Sequence, residues 1–395
     1  MPSRRTPKAL IIGAGIGGLS AGIALRKAEL EVAVFDRRHD RSELEVGGGI
    51  VMWPNAVRAM RLLGVADDVV KRAIRVTRVE HRSADGRLLA VWPLHLIESA
   101  QNAPSITISR ANLHPVLDRA LGDVPVMTGA ECTSFTQKGS TVIAHFADGH
   151  DEEADLLVCA DGRNSTLRRK VANVDGSYPP YAGYTLWSAV VRAPHPGTRQ
   201  GVFTIIHGPA AEFYVFHMGP GEVYWSCAGW LPQQVRGRRF DADNKAAVSE
   251  WLRGWCEPVP SLLAATDDGQ IARRDIYGGT PLATWSVGRV ALLGDAAHPM
   301  TPTQGQGACA AIEDALELQR CLKPETDFSA ALRQYEKRRR SRTDALMRVS
   351  KQIESLAPVT HPALMRMRDH MIGMVFGKPW LMRRTPWYRG MTTLV

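Results

Sequence analysis

The sequence predicts an α/β chain: a parallel, doubly wound sheet, interrupted by an antiparallel sheet and followed by a C-terminal helical region. Three observations predict it. A glycine-rich turn joins two short apolar runs through a helix-forming stretch near the N-terminus. Apolar runs of the same kind return at Asp155–Cys159 and Arg289–Leu293. Between those two lies a stretch dense in aromatics, with Pro/Gly turns separating its runs, the texture of antiparallel strands.

The elements follow in order. Ala9–Ile12 reads as a buried strand, Gly13–Gly18 as a turn, Leu19–Lys27 as a helix and Glu31–Phe35 as a second strand closed by Asp36. Pro54–Leu63 reads as a helix with proline at its start and Gly64 at its end. Ser109–Leu121 is helical with Pro115 in its first turns, and Val124–Phe135 and Thr141–Phe146 alternate like strands around Lys138-Gly139. The texture changes near Gly176. Four strands then follow, Tyr184–Val191, Val202–His207, Glu212–Met218 and Val223–Trp230, carrying Trp187, Phe203, Phe213, Tyr214, Phe216, Tyr224, Trp225 and Trp230 as an aromatic face. Asp243–Cys256 reads as a helix on that sheet. Arg289–Leu293 runs into GDAAHPMTPTQGQG and the helix Ala308–Leu322. The tail from Phe328 is helical, its basic run at 337–342 reads as a solvated face, and Pro379 and Pro386 break the last segment. This divides the chain into a discontinuous nucleotide-binding unit (1–75, 100–175 and 286–325), an inserted substrate unit (76–99 and 176–285) and a helical end (326–395).

Composition narrows the class. Of 395 residues, 45% are hydrophobic and 23% charged, which excludes a disordered, collagen-like or disulfide-stapled chain. The net charge of +9 permits anionic ligands but does not indicate nucleic acid. The six cysteines form no CxxC and no zinc spacing, so no metal is expected and a reducing, cytoplasmic setting is the simplest reading. Basic Arg4, Arg5 and Lys8 before an apolar stretch resemble a signal peptide, but five glycines in that stretch argue against it. No run is long enough to span a bilayer.

Gly13, Gly15 and Gly18 form GxGxxG between strand and helix. The first glycine allows the turn, the second lets backbone approach a pyrophosphate, and the third lets helix pack on strand. Asp36 lies at the end of the next strand, where a carboxylate accepts from an adenosine ribose. Together these point to a dinucleotide without distinguishing FAD from NAD.

Two further blocks distinguish them. DLLVCADGRNSTLR (155–168) and RVALLGDAAHPMTPTQGQG (289–307) resemble the DG and GD motifs of the single-component (group A) FAD-dependent aromatic hydroxylases, the salicylate hydroxylase and 6-hydroxynicotinate 3-monooxygenase kind. GGGIVMWPNAVRAMRLLG (47–64), SRANLHPVLDRAL (109–121) and YEKRRRSR (335–342) match that family's intermediate blocks in order. The resemblance implies a Rossmann-like FAD-binding domain with an inserted antiparallel-sheet substrate domain and C-terminal helices. It implies a cofactor set of Gly13, Gly15, Gly17, Gly18, Asp36, Arg37, Gly49, Arg110, Asp161, Asp295, Pro302, Gly305, Gln306 and Gly307. Within it Asp295 meets the ribityl chain or adjoining ribose, Arg37 the adenosine, and Gly305-Gln306-Gly307 open a helix toward the flavin pyrimidine ring. His298 reads as a turn histidine bonded to backbone, and Cys309 as a packed cysteine.

The implied activity is monooxygenation of an aromatic or other electron-rich ring, or its epoxidation. NADPH or NADH would reduce FAD, and O2 would react through a flavin C4a-hydroperoxide. Beyond the ring substrate and oxygen, no nucleic acid and no integral membrane segment are implied. This chain departs from its relatives where they place acid/base groups, with Val51 for a histidine and Phe216-His217 for a Tyr-Pro. A larger, more apolar pocket is therefore expected, with Tyr214, His217 and Tyr224 as the remaining catalytic candidates. A flavin-dependent reductase or dehydrogenase, a flavin halogenase and a non-catalytic flavin-binding protein are the alternatives.

Overall fold

The structure is a computed structural model that describes residues 5–40, 48–175, 178–192, 195, 197–230, 243–323 and 327–393. Arg4, Gly47 and Gly176 lie outside the described residues. A six-stranded sheet is ordered Ser286–Val287, Val290–Leu292, Leu156–Cys159, Lys8–Ile12, Glu31–Asp36 and Val126–Thr128, parallel except at its first, hairpin-joined strand. Its central strands are continuous apolar runs because helices cover both faces. One of these, Ile16–Lys27, packs so tightly that a Cβ on Gly18 would lie 1.7 Å from the Gly13 carbonyl oxygen. A Cβ on Gly17 would lie 3.3 Å from that of Ala311 on the helix Gly307–Cys321.

The run expected as one strand over 124–135 is two strands. Gly129 takes φ 74° and turns the chain, so Val126–Thr128 edges the parallel sheet. Cys132–Lys138 instead joins a separate antiparallel sheet with Thr141–Phe146 and Asp151–Ala154. No alternation in the sequence marks that change of sheet.

A seven-stranded sheet runs Ala272–Tyr277, Tyr181–Arg192, Glu222–Gly229, Ala211–Gly219, Val202–Gly208, Arg78–Ser83 and Leu88–Val91. It is antiparallel except where Arg78–Ser83 pairs parallel to Val202–Gly208. Its aromatics do not share one face. Trp187, Phe213 and Trp225 face the core under the helices Asp243–Trp251 and Val259–Ala264. Phe203, Tyr214, Phe216, Tyr224 and Trp230 point the other way, into a cavity. Period-two alternation along each strand makes this division.

A 29-residue helix, Phe328–Leu356, leads to Pro362–Gly377, Pro379–Met382 and Pro386–Thr392. Each proline starts a helix rather than merely breaking one. The basic run is not wholly solvated: Arg339 is 1% and Arg342 9% exposed, both turned onto Glu313. Periodicity divides that run between a wet and a buried face of one helix. Among the described residues, no helix is long and apolar enough to cross a membrane.

Candidate functional site

Two connected recesses form the site. A groove of about 280 Å³ lies along the turn after Lys8–Ile12 and is lined by Gly13, Gly15, Gly17, Asp36, Arg37, Arg110, Asp161, Asp295 and Gly307. A cavity of about 700 Å³ lies between the seven-stranded sheet and the C-terminal helices, and Gly49, Pro302 and Gly305 are among its lining residues. Asp295, Gly307 and Ala308 line both, so an extended ligand can pass from one to the other.

The groove fits a dinucleotide. Gly13 has φ 108°, and the space beside Gly15 is open to 4 Å, which leaves backbone free to meet a phosphate. The start of the helix Ile16–Lys27 presents its N–H groups there. Asp36 is buried and accepts from Ala14 N at 2.8 Å and Arg38 N at 2.9 Å, and its oxygens retain capacity for a ribose hydroxyl. Asp161 takes Thr166 N on Oδ2, while its buried Oδ1 has no hydrogen-bond partner among the described residues. Burial pushes the Asp161 carboxyl up.

The structure does not bring every expected side chain to these recesses. Gln306 is fully buried and bonds Asn55, so only its backbone stands at the helix start. Gly18 is a packing position. His217 lies on the opposite side of its strand from Phe216, with Nε2 3.1 Å from Thr198 Oγ1, and does not line the cavity. Tyr214 and Tyr224 do.

Several residues escaped sequence reasoning. Arg168 is 1% exposed and donates to the carbonyls of Gly162, Arg163, Asp295 and Ala296, tying the DG turn to the GD turn. His298 bonds the Asp314 carboxylate, not backbone, and Asp314 also accepts from Gly294 N and Arg339. Cys309 is packed as expected, and burial pushes its thiol up to about 12. On the cavity wall stand Trp92, His81, His207 and Glu212, hydrogen-bonded in series and ending on Tyr214. Strand alternation carried a signal for two of them. Glu212 is two residues from Tyr214, and His207 is two from Ile205, which pairs with Tyr214. His81 sits in a segment with no motif.

Comparison with known proteins agrees with this geometry. A family model described as an FAD binding domain matches residues 6–350. The aurachin C monooxygenase/isomerase of Stigmatella aurantiaca is 36% identical over 327 residues, 83% of each chain. The FAD-dependent urate hydroxylase of Klebsiella pneumoniae is 33% identical over 368 residues, 92% of each. The crystal structure of Klebsiella pneumoniae HpxO complexed with FAD and uric acid superposes with a TM-score of 0.87 at 29% identity, covering 97% of each chain.

Proposed function

The chain belongs to the FAD-binding-domain family of flavin-dependent monooxygenases, and from that premise we propose that it oxygenates a ring substrate larger and more apolar than uric acid. FAD is the cofactor, and NAD(P)H is the co-substrate typical of the family. When bound, the flavin supplies reduced, oxygen-reactive chemistry. The division into nucleotide, substrate and helical units is retained as part of this reading. So is a reducing, cytoplasmic setting, which six cysteines without a disulfide support.

The carrying observation is the cavity. Near Val51, Pro302 and Gly305 it takes a flat ring between the parallel-sheet unit and Phe216 and Tyr224. From there it extends under the C-terminal helices to Ile372, Val375, Phe376 and Trp387. That arm is apolar, and burying a chain there releases roughly 0.8 kcal/mol per methylene. The same walls exclude water from the reacting ring and hold it against the flavin site. Asp36, Arg37, Arg110, Asp161 and Asp295 would hold the cofactor along the groove, and Tyr214 and Tyr224 would meet the substrate. His217 has no support as a catalytic group.

The test is coupled NAD(P)H oxidation with 2-alkylindoles of increasing chain length. An apparent KM falling about fourfold per added methylene, then levelling, supports the reading. A KM indifferent to chain length, or NAD(P)H use that no ring compound stimulates, overturns it.

A further inference from the structure

Four hydrogen bonds along the cavity wall converge on Glu212, three in series from Trp92 and one from Tyr214. An indole nitrogen can only donate, and Trp92 Nε1 lies 2.6 Å from His81 Nε2. His81 Nε2 is therefore an acceptor and its proton sits on Nδ1. That Nδ1 lies 2.7 Å from His207 Nε2, which leaves the His207 proton on Nδ1, 2.9 Å from Glu212 Oε1. Glu212 Oε2 accepts from the Tyr214 hydroxyl. Every proton in the series points at Glu212, and Trp92, which has no second tautomer, fixes that polarity.

The charges agree. Burial holds His81 well below the usual histidine range, so it is neutral. Burial opposes ionisation of Glu212, but the hydrogen bonds from His207 and Tyr214 and the charge of Arg368 outweigh it and leave the carboxyl below its usual range. Burial and the Glu212 charge push Tyr214 well above the usual phenol range.

We propose that this polarity makes Tyr214 a hydrogen-bond acceptor toward the cavity, so that the site selects a ring bearing an N–H or O–H donor and rejects one offering only a carbonyl. Tyr214 has one proton, and Glu212 holds it. What remains for a ligand is the lone-pair side of Oη. Glu212, His207 and His81 act through Tyr214 and are positioning residues. The arrangement also provides a proton sink. As oxygen attack withdraws electrons from the ring, its N–H or O–H becomes acidic. That bond breaks, its proton passes to Tyr214 Oη, and the Tyr214 proton passes to Glu212 Oε2.

This rests on the cavity being the substrate site. The experiment compares two bicyclic probes of similar size, indole, which only donates, and 1-indanone, which only accepts. Each is titrated into the FAD-loaded protein and followed by the flavin difference spectrum. The parent protein is expected to bind indole about tenfold more tightly. In Tyr214→Phe that preference falls below about twofold. In Glu212→Gln it inverts. His207 still requires the amide oxygen, so the amide N–H turns to Tyr214 and frees the tyrosine proton for the ligand. A generally loosened site weakens both probes but does not exchange their order. A Glu212→Gln protein that still prefers indole overturns the proposal. Binding preferences that behave as expected, with no ring compound stimulating NAD(P)H oxidation, would count against the monooxygenase reading alone.

Discussion

His298 Nε2 lies 2.6 Å from Asp314 Oδ2, and both side chains are wholly buried. The same carboxylate accepts from Gly294 N and, on its other oxygen, from Arg339 Nε at 2.6 Å. The turn that carries Asp295 is thereby fixed to the helix Gly307–Cys321 by a charge cluster beneath the groove.

A dependence of stability on acid follows. Burial alone would raise the Asp314 carboxyl, yet His298 and Arg339 hold it down to about 2. A carboxyl depressed in the folded state contributes stability that is complete above its unfolded value and is lost as pH falls through the folded one. The shift corresponds to about 2 kcal/mol, lost between roughly pH 4 and pH 2. Thermal unfolding of the parent protein should steepen with acid over that window. Asp314→Asn should start less stable and show a shallower slope there, and an unchanged slope would remove the carboxylate from the account.

Arg168 offers a sharper test of the groove. Its guanidinium holds four carbonyls from two turns, a forked geometry that an ammonium does not reproduce. Arg168→Lys keeps the charge but should weaken FAD binding at least tenfold, roughly one to two hydrogen bonds to a charged donor. Equilibrium dialysis of the apoprotein measures it. Retention of parent affinity would show that the two turns are aligned without this residue.

The cysteines carry a negative expectation. Burial pushes Cys132 and Cys309 up to about 12 and Cys321 up to about 11, and burial also raises half-buried Cys256. Thiolate is the reactive form. Under native conditions near pH 7.5 a disulfide reagent should therefore find no fast-reacting thiol among the six, all of which become available in denaturant. A single rapid equivalent would identify an activated cysteine that this packing does not produce.

The parallel sheet and the groove were legible in the sequence because they depend on local rules. Gly13 must turn, Gly18 must vanish against a carbonyl, and Asp36 must end a strand. The antiparallel sheet was legible as strands but not as faces, because eight aromatics on four strands do not declare which side a cavity takes. Only with register is Phe213 assigned to the core and Tyr214 to the cavity. The pairing of His81 with His207 spans 126 residues and has no local signature. Arg339 and Arg342 were hidden for a related reason. Inside a run of basic residues, nothing local marks the two that meet Glu313 and Asp314 on another helix.

The cavity arm yields the last prediction. Val375 lines it from the helix Pro362–Gly377 and is not among the residues lining the groove, so a change there alters depth without touching the cofactor turns. Val375→Trp inserts a large rigid ring where the distal methylenes of an apolar chain would lie. Unsubstituted indole should be oxidised with little change in kcat or KM, because the ring end is intact. For long-chain 2-alkylindoles the advantage over indole should shrink. Each excluded methylene costs roughly 0.8 kcal/mol, about fourfold in KM. The chain length at which KM levels should therefore move to shorter homologues. If indole and the long-chain compounds lose equally, the substitution has disturbed the whole cavity. If neither changes, the chain runs elsewhere and the arm is not its binding surface.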